Sequence, residues 1–432
     1  MRTRTAGPRN LRRQSSTERN ALTEHYRRVR RMSEVLAHPL KPDDYGLQAM
    51  AEVSPAKWHL AHTSWFFETF LLAPFLPYYR AFHPQFGDLF NSYYNEVGAP
   101  FPRPRRALLS RPTTEEVYRY RAHVDAAIIS LLTTVEEDHW REVESRTTLG
   151  CHHEEQHQEL FLTDILYNFS HNPVRPAYRD DLGRATTSRA APLSWLERPE
   201  AETEIGHHGS GFAFDNESPR HRVRLAAHAV ASRLVTNGEY LEFIEAQGYA
   251  RAKYWLSDGW QAAQERQWFA PLYWEKHDQQ WWTFTLGGMR PVNANEPVCH
   301  VSYYEADAYA RWTGKRLLTE AEWEALAQTQ PADGNLRDEG HLHPIPAPSG
   351  APLAQLYGDV WEWTASNYSA YPGYRPAPGA LGEYNGKFMI NQMVLRGGSC
   401  VTPAAHMRAT YRNFFYPGDR WQFSGIRLAE DR

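Results

Sequence analysis

Residues 147–169 read TTLGCHHEEQHQELFLTDILYNF. Apolar residues at helical spacing follow a polar centre, so the segment reads as one long helix. Its centre, CHHEEQHQEL (151–160), carries three histidines and three glutamates. Such a cluster is either a metal site or a polar helix face rich in histidine. A helix turns about 100° per residue, so His153 and His157, at i and i+4, lie within about 40° of each other on one face. That spacing lets two imidazoles grip one ion. Glu159 looks like the carboxylate of a two-His, one-carboxylate iron triad, yet it sits about 240° around the helix from His153. Glu154 and Glu155 are also off the His face. A third ligand must come from another segment.

Three more long helical patterns surround this one: STERNALTEHYRRVRRMSEVLA (16–37), SPAKWHLAHTSWFFETFLLAPF (54–75) and TTEEVYRYRAHVDAAIISLLTTV (113–135). The first opens on Ser16-x-x-Arg19, a variant of the capping box, and the second on Ser54-Pro55, an N-cap and N1 pair. Four amphipathic helices predict a four-helix bundle over residues 16–170. Residues 171–200 are rich in Pro, Arg and Ser and read as a linker. From 201 to 432 the texture changes to short strands such as RHRVRLAAHAV, many turns, and two helices, NGEYLEFIEAQG and TEAEWEALAQ. Thr319-x-x-Glu322 opens the second as a capping box. This half predicts an irregular α+β domain, and the chain a multidomain protein.

Composition narrows the function. The 432 residues carry 47 Lys+Arg against 51 Asp+Glu, a net charge of -4, so no global basic field recruits nucleic acid or an anionic membrane. No apolar run approaches the roughly 20 residues that span a bilayer. The Arg-rich residues 1–15 lack the apolar stretch of a signal peptide and read as a disordered basic tail. Cys151, Cys299 and Cys400 form no CxxC pair, which fits a reducing cytoplasm and argues against a thiolate zinc site. The expectation is a soluble cytoplasmic protein acting on small molecules. Its 15 Trp and 24 Tyr suit a loop-rich domain or an aromatic-lined pocket.

Bundles build metal sites from facing helices, and the second helix offers WHLAHTSWFFET, with His59 and His62 about one turn apart. A lone histidine on an apolar helix is usually a satisfied core residue. Coupled to His153 and His157, one of them becomes a ligand candidate. A three-His face leaves open positions for substrate and O₂, as an oxygen-activating iron requires. Gln156, beside His157, is placed to donate to a bound substrate or to face solvent.

Together WHLAHTSWFFETFLL, HHEEQHQEL and the motifs of the second half resemble the ergothioneine-type sulfoxide synthases. Those motifs are FAFDNESPRHRVRL (212–225), PVCHVSYYEADAYARWTGKRLLTEAEWEAL (297–326), GDVWEWTASNY (358–368), VLRGGS (394–399) and RNFFYPGDRWQFSGIRLAED (412–431). The resemblance covers about residue 20 to 432. It implies a DinB-like four-helix bundle followed by a C-type-lectin-like domain similar to formylglycine-generating enzymes. It also implies Fe(II) held by His62, His153 and His157, with Glu159 in the motif but not a ligand. The implied reaction joins a thiol to the imidazole C2 of Nα-trimethylhistidine (hercynine), with O₂ oxidising the sulfur to a sulfoxide.

The resemblance further assigns Gln156 to the histidine-derived substrate, Asn413 to its carboxylate or betaine end, and Arg103 and Arg106 to the carboxylate of the thiol. Guanidinium forks suit carboxylates, and the faces of Phe414 and Phe415 suit a quaternary ammonium. Two departures from the family matter. Relatives that use γ-glutamylcysteine tend to have Trp-Asp where this chain has Phe414-Phe415, so free cysteine becomes the expected thiol. The family's tyrosine has no clear counterpart among Tyr368, Tyr371, Tyr374 and Tyr384, so Tyr93 or Tyr94 is the expected proton or hydrogen donor. Thr402 and Met407 replace the two metal-binding cysteines of formylglycine-generating enzymes, which leaves the second domain a substrate-binding scaffold. Ovothiol-type synthases are expected to carry a methyltransferase domain beyond the equivalent of residue 432, which counts against them. Selenoneine synthases and a zinc-dependent thiol transferase on the same bundle are the remaining alternatives.

Overall fold

The computed structural model describes residues 8–182 and 188–432, with side chains from residue 16 onward. The chain divides into two compact units, Met1–Asp164 and Ile165–Arg432.

The first unit is built on four long helices: α1 (Pro8–Ala37), α2 (Ala56–Phe67), α3 (Thr114–Thr134) and α4 (Glu137–Ser170), whose last turns belong to the second unit. The backbone is helical from Pro8, within the stretch expected as a basic tail, and residues 1–7 lie outside the described residues. Arg19 does not cap its own helix. Its guanidinium donates to the carbonyls of Leu132 (3.2 Å) and Val135 (2.9 Å), which α3 leaves open at its C-terminus. Helix α4 begins ahead of residue 147, with Glu137 and Asp138 in its first turn, where the helix dipole favours negative charge. The expected cap of α2 is corrected: Pro55 is the N-cap, and Ser54 serves tertiary bonds instead. Its N–H donates to Asp164 Oδ2 (2.8 Å) and its Oγ accepts from Arg106 Nη1 (2.8 Å).

All four helices meet in one buried ionic network. Arg30 of α1 donates to Asp125 (2.6 Å), Glu154 (2.8 Å) and Ser64 (2.8 Å), and Arg121 of α3 donates to Glu154 (3.0 Å). Burial works to raise the Glu154 carboxyl, but Arg30 and Arg121 outweigh it and hold it at about 2. Breaking such a buried pair costs about 3–5 kcal/mol, because an uncompensated charge stays behind. Gly150 brings α4 against α2: a Cβ there would stand 2.4 Å from Phe67 Cε1. Close approach at Gly150 sets the next turn of α4, with His153, opposite α2.

The second unit carries two four-stranded sheets. One orders Trp195–Arg198, His228–Ala231, Leu428–Asp431 and Arg316–Leu317; the other orders Asn413–Phe415, Met393–Arg396, Trp361–Asn367 and Ser424–Gly425. Trp195–Arg198 lies inside the stretch expected as a linker, of which residues 183–187 are outside the described residues. Thr319 and Glu322 form the expected capping box. Two helices went unread in the sequence, Ser257–Glu265 and Tyr303–Trp312. Each is too short to be stable alone, so tertiary packing decides it, and periodicity over so few residues is weak. Buried arginines staple the loops. Arg427 Nε reaches both oxygens of Glu362 at 2.9 Å, and its remaining donors go to the carbonyls of Ala231, Ala354 and Gln355. Among the described residues no helix is long and apolar enough to cross a membrane.

Candidate metal centre

His62 on α2 meets His153 and His157 on α4, and the latter two share one helix face as their spacing predicts. Their ring centroids stand 4.9, 4.6 and 4.6 Å apart, and one ligand atom from each lies within 4.8 Å of the others. His62 Nε2 faces His153 Nε2 at 3.2 Å. Two lone pairs that close repel one another unless a proton or a cation stands between them. His62 Nδ1–H donates to the Phe90 carbonyl (2.6 Å), which leaves its Nε2 lone pair for a ligand.

Electrostatics favour the neutral imidazoles a metal needs. Burial, then neighbouring His153, holds His62 well below the ordinary histidine range. Burial, then His153 and His62, does the same for His157, and burial puts His153 at about 3. Glu154, next in sequence, is turned into the Arg30–Arg121 network and takes no part in the triad. Glu159 is likewise outside the group of three that could hold an ion. Three neutral imidazoles, two buried and His157 half-buried, fit a divalent transition metal with positions left open, a donor set known for both zinc and iron chemistry.

Aromatic side chains fix the rings. Trp58 stacks on His62 (4.5 Å, 13° between planes), Trp65 lies on His62 as well (5.4 Å, 15°), and Phe66 stacks on His153 (4.5 Å, 27°). On an apolar helix such aromatics read as core, although WHLAHTSW places Trp58 at i−4 and Trp65 at i+3 of His62. Behind Trp58, the Arg106 guanidinium lies 3.4 Å over the indole. Burial, then the nearby Arg103 guanidinium, pushes Arg106 well below the usual arginine range. Arg106 is buried and Arg103 exposed, the latter donating to the Glu52 carbonyl.

His59 lies outside the triad but touches it: its Nδ1 is 2.9 Å from His157 Nδ1, and its Nε2 is 2.9 Å from Asp164 Oδ2. Gln156 is half-buried on α4 beside His157. Tyr94 is fully buried against Trp65 (5.4 Å) and Phe70 (5.2 Å), and half-buried Tyr93 stacks on it at 4.6 Å.

In the second unit, Asn413, Phe414 and Phe415 form an edge strand. Asn413 Oδ1 accepts from the Phe414 N–H (2.9 Å), and the Phe414 ring stacks on Tyr368 at 4.0 Å and 8°. Tyr368, Tyr371 and Tyr374 hydrogen-bond to Asn216, Glu320 and Asp215 within the same unit. Thr402 Oγ1 accepts from the Ser399 N–H (2.8 Å), a turn in a position where the resemblance had looked for a thiolate.

Comparison with known proteins matches residues 25–161 to the DinB superfamily and residues 198–341 and 340–432 to the sulfatase-modifying factor enzyme 1-like domain. The chain is 32% identical to the hercynine oxygenase of Mycolicibacterium smegmatis over 88% of this chain and 91% of that protein. It is 30% identical to the hercynine oxygenase of Mycolicibacterium thermoresistibile over 88% of each. A 38% match to the hercynine oxygenase of Mycobacterium tuberculosis spans 51% of this chain and 56% of that protein. The two-part architecture read from the sequence is borne out.

Proposed function

The chain belongs to the hercynine oxygenase family, and from that premise we propose that it is an Fe(II)- and O₂-dependent sulfoxide synthase that joins cysteine to hercynine in ergothioneine biosynthesis. The observation that carries the proposal is the convergence of three neutral imidazoles, His62 and His153 buried and His157 half-buried. The reaction balances: the imidazole C2–H and the thiol S–H are lost, a C–S bond forms, and one oxygen atom of O₂ enters the sulfoxide while the other leaves as water. When bound, the iron would supply O₂ activation and favour the thiolate over the thiol.

The protein's own residues then position and protonate. Arg103 and Arg106 are proposed to receive the carboxylate of the thiol, Arg106 being a buried cation with no carboxylate bonded to it among the described residues. Gln156 would hydrogen-bond the imidazole-bearing substrate from beside His157. Of the tyrosine pair, Tyr93 is favoured as the proton or hydrogen donor, because Tyr94 is packed against Trp65 and Phe70. For the second unit, Asn413, Phe414 and Phe415 are proposed to recognise the betaine end of hercynine. The absence of a carboxylate at Phe414-Phe415 supports cysteine over γ-glutamylcysteine, whose glutamyl amine would need an acidic partner.

The test is to load the protein with Fe(II) without air, add hercynine with either thiol, admit O₂ and identify products by mass. A sulfoxide conjugate formed mainly with cysteine is expected. Preference for γ-glutamylcysteine would overturn the thiol assignment, and O₂ consumption without either conjugate would overturn the reaction.

A further inference from the structure

We propose that His59 and Asp164 are positioning residues that set the tautomer of the ligand His157. The inference rests on the metal reading above, and its chemistry is a matter of counting protons. Asp164 Oδ2 already accepts the Ser54 N–H at 2.8 Å, so that oxygen is an acceptor, and the His59 Nε2 that meets it at 2.9 Å must carry a proton. A neutral imidazole holds one N–H, which leaves His59 Nδ1 with its lone pair. His59 Nδ1 stands 2.9 Å from His157 Nδ1, and a contact between two ring nitrogens at that distance needs one proton between them. With His59 neutral, the proton belongs to His157 Nδ1, and the lone pair of His157 is driven to Nε2.

The result matches what the Phe90 carbonyl does for His62, where an Nδ1–H donor again frees Nε2. Two of the three ligands thus reach the metal through Nε2 because a partner holds the proton at Nδ1. For His62 the partner is backbone; for His157 it is a two-residue relay, buried throughout. The relay also ties into the proposed thiol clamp, because Ser54, whose N–H steadies Asp164, accepts from Arg106 through its Oγ at 2.8 Å. The same orientation that exposes Nε2 also raises the basicity of the ligand, as an acceptor on the far nitrogen of a metal-bound histidine does.

The experiment uses the full chain, labelled with ¹⁵N in histidine, and compares wild type with His59→Phe, Asp164→Leu and Asp164→Asn. In metal-free wild type, the ¹⁵N spectrum of His157 should show a protonated Nδ1 and a bare Nε2. His59→Phe and Asp164→Leu, which keep the shape and remove the acceptor, should release that preference and weaken Fe(II) binding, measured by anaerobic competition with a chelator, by about 10- to 100-fold. Asp164→Asn, whose amide oxygen can still accept, should lose less than Asp164→Leu. A role in packing alone would leave the His157 tautomer unmoved in any folded variant. A protonated Nε2 in wild type, or unchanged tautomer and Fe(II) affinity in His59→Phe, overturns the inference. Failure of wild type to bind Fe(II) overturns the metal reading instead, while the spectrum of the metal-free protein still decides the tautomer.

Discussion

Both units bury charged and polar side chains, but they close their hydrogen-bond accounts differently. In the second unit Arg427, Arg396 and Arg412 spend their donors on Glu362, Glu320, Glu324 and nearby carbonyls, so the interior is a set of staples that hold irregular loops in place. In the first unit the Arg30–Glu154–Arg121 network is closed in the same way, yet immediately beside it three imidazoles turn their nitrogens toward one another. One ligand-type atom from each of the three lies within 4.8 Å of the others, an arrangement one cation could bridge and the arginine staples do not offer. The difference teaches that burial of charge does not itself identify a site; what sets this place apart is three imidazole nitrogens gathered within reach of one ion.

The largest break in this comparison should come from a ligand. His62→Ala or His153→Ala is expected to abolish Fe(II) retention and sulfoxide formation, with metal content per chain as the readout. Next come the two closed networks. Glu154→Gln and Arg427→Met should each destabilise the unit that contains them by about 3–5 kcal/mol in urea unfolding, and only Glu154→Gln should also weaken Fe(II) binding. Equal losses of affinity in both variants would erase the distinction between site and scaffold.

The acid limb sharpens it further. Burial works to raise the Glu320 carboxyl, but Arg412 and Arg396 outweigh it and hold the pKa below the ordinary 4.5. A carboxyl depressed on folding contributes stability above its unfolded pKa and loses it as pH falls through the folded value. The second unit should therefore weaken below about pH 4.5, and Glu320→Gln should flatten that dependence. Gly150→Ala is expected to cost about 1–3 kcal/mol and some Fe(II) affinity, since the added methyl meets Phe67 where α4 crosses α2. Thr319→Ala should cost about 1 kcal/mol through its lost cap and leave Fe(II) binding unchanged.

Much of the candidate metal centre's geometry was legible because helical spacing is local. His153 and His157 declare a face, and the rejection of Glu159 follows from rotation about one axis. The choice between His59 and His62 was not legible from spacing, since both occupy one short apolar stretch. In the structure Phe90 takes the proton of His62, while Asp164 draws His59 aside, and both partners are distant in sequence. Trp58 and Trp65 sat in plain view at i−4 and i+3 of His62, but aromatic residues on an apolar helix read as core. In the second half the capping box at Thr319 was readable, whereas Tyr303–Trp312 was not, because short helices among loops owe their existence to packing. Ser54 misled for a related reason: it looked like a cap and instead bonds Arg106 and Asp164.

The most direct test of the central claim is X-ray absorption at the iron edge of the full chain loaded anaerobically with Fe(II). The account requires one iron per chain ligated by three imidazole nitrogens, with His62→Ala failing to retain it. Iron bound through protein sulfur, or an unchanged spectrum and stoichiometry in His62→Ala, would contradict it.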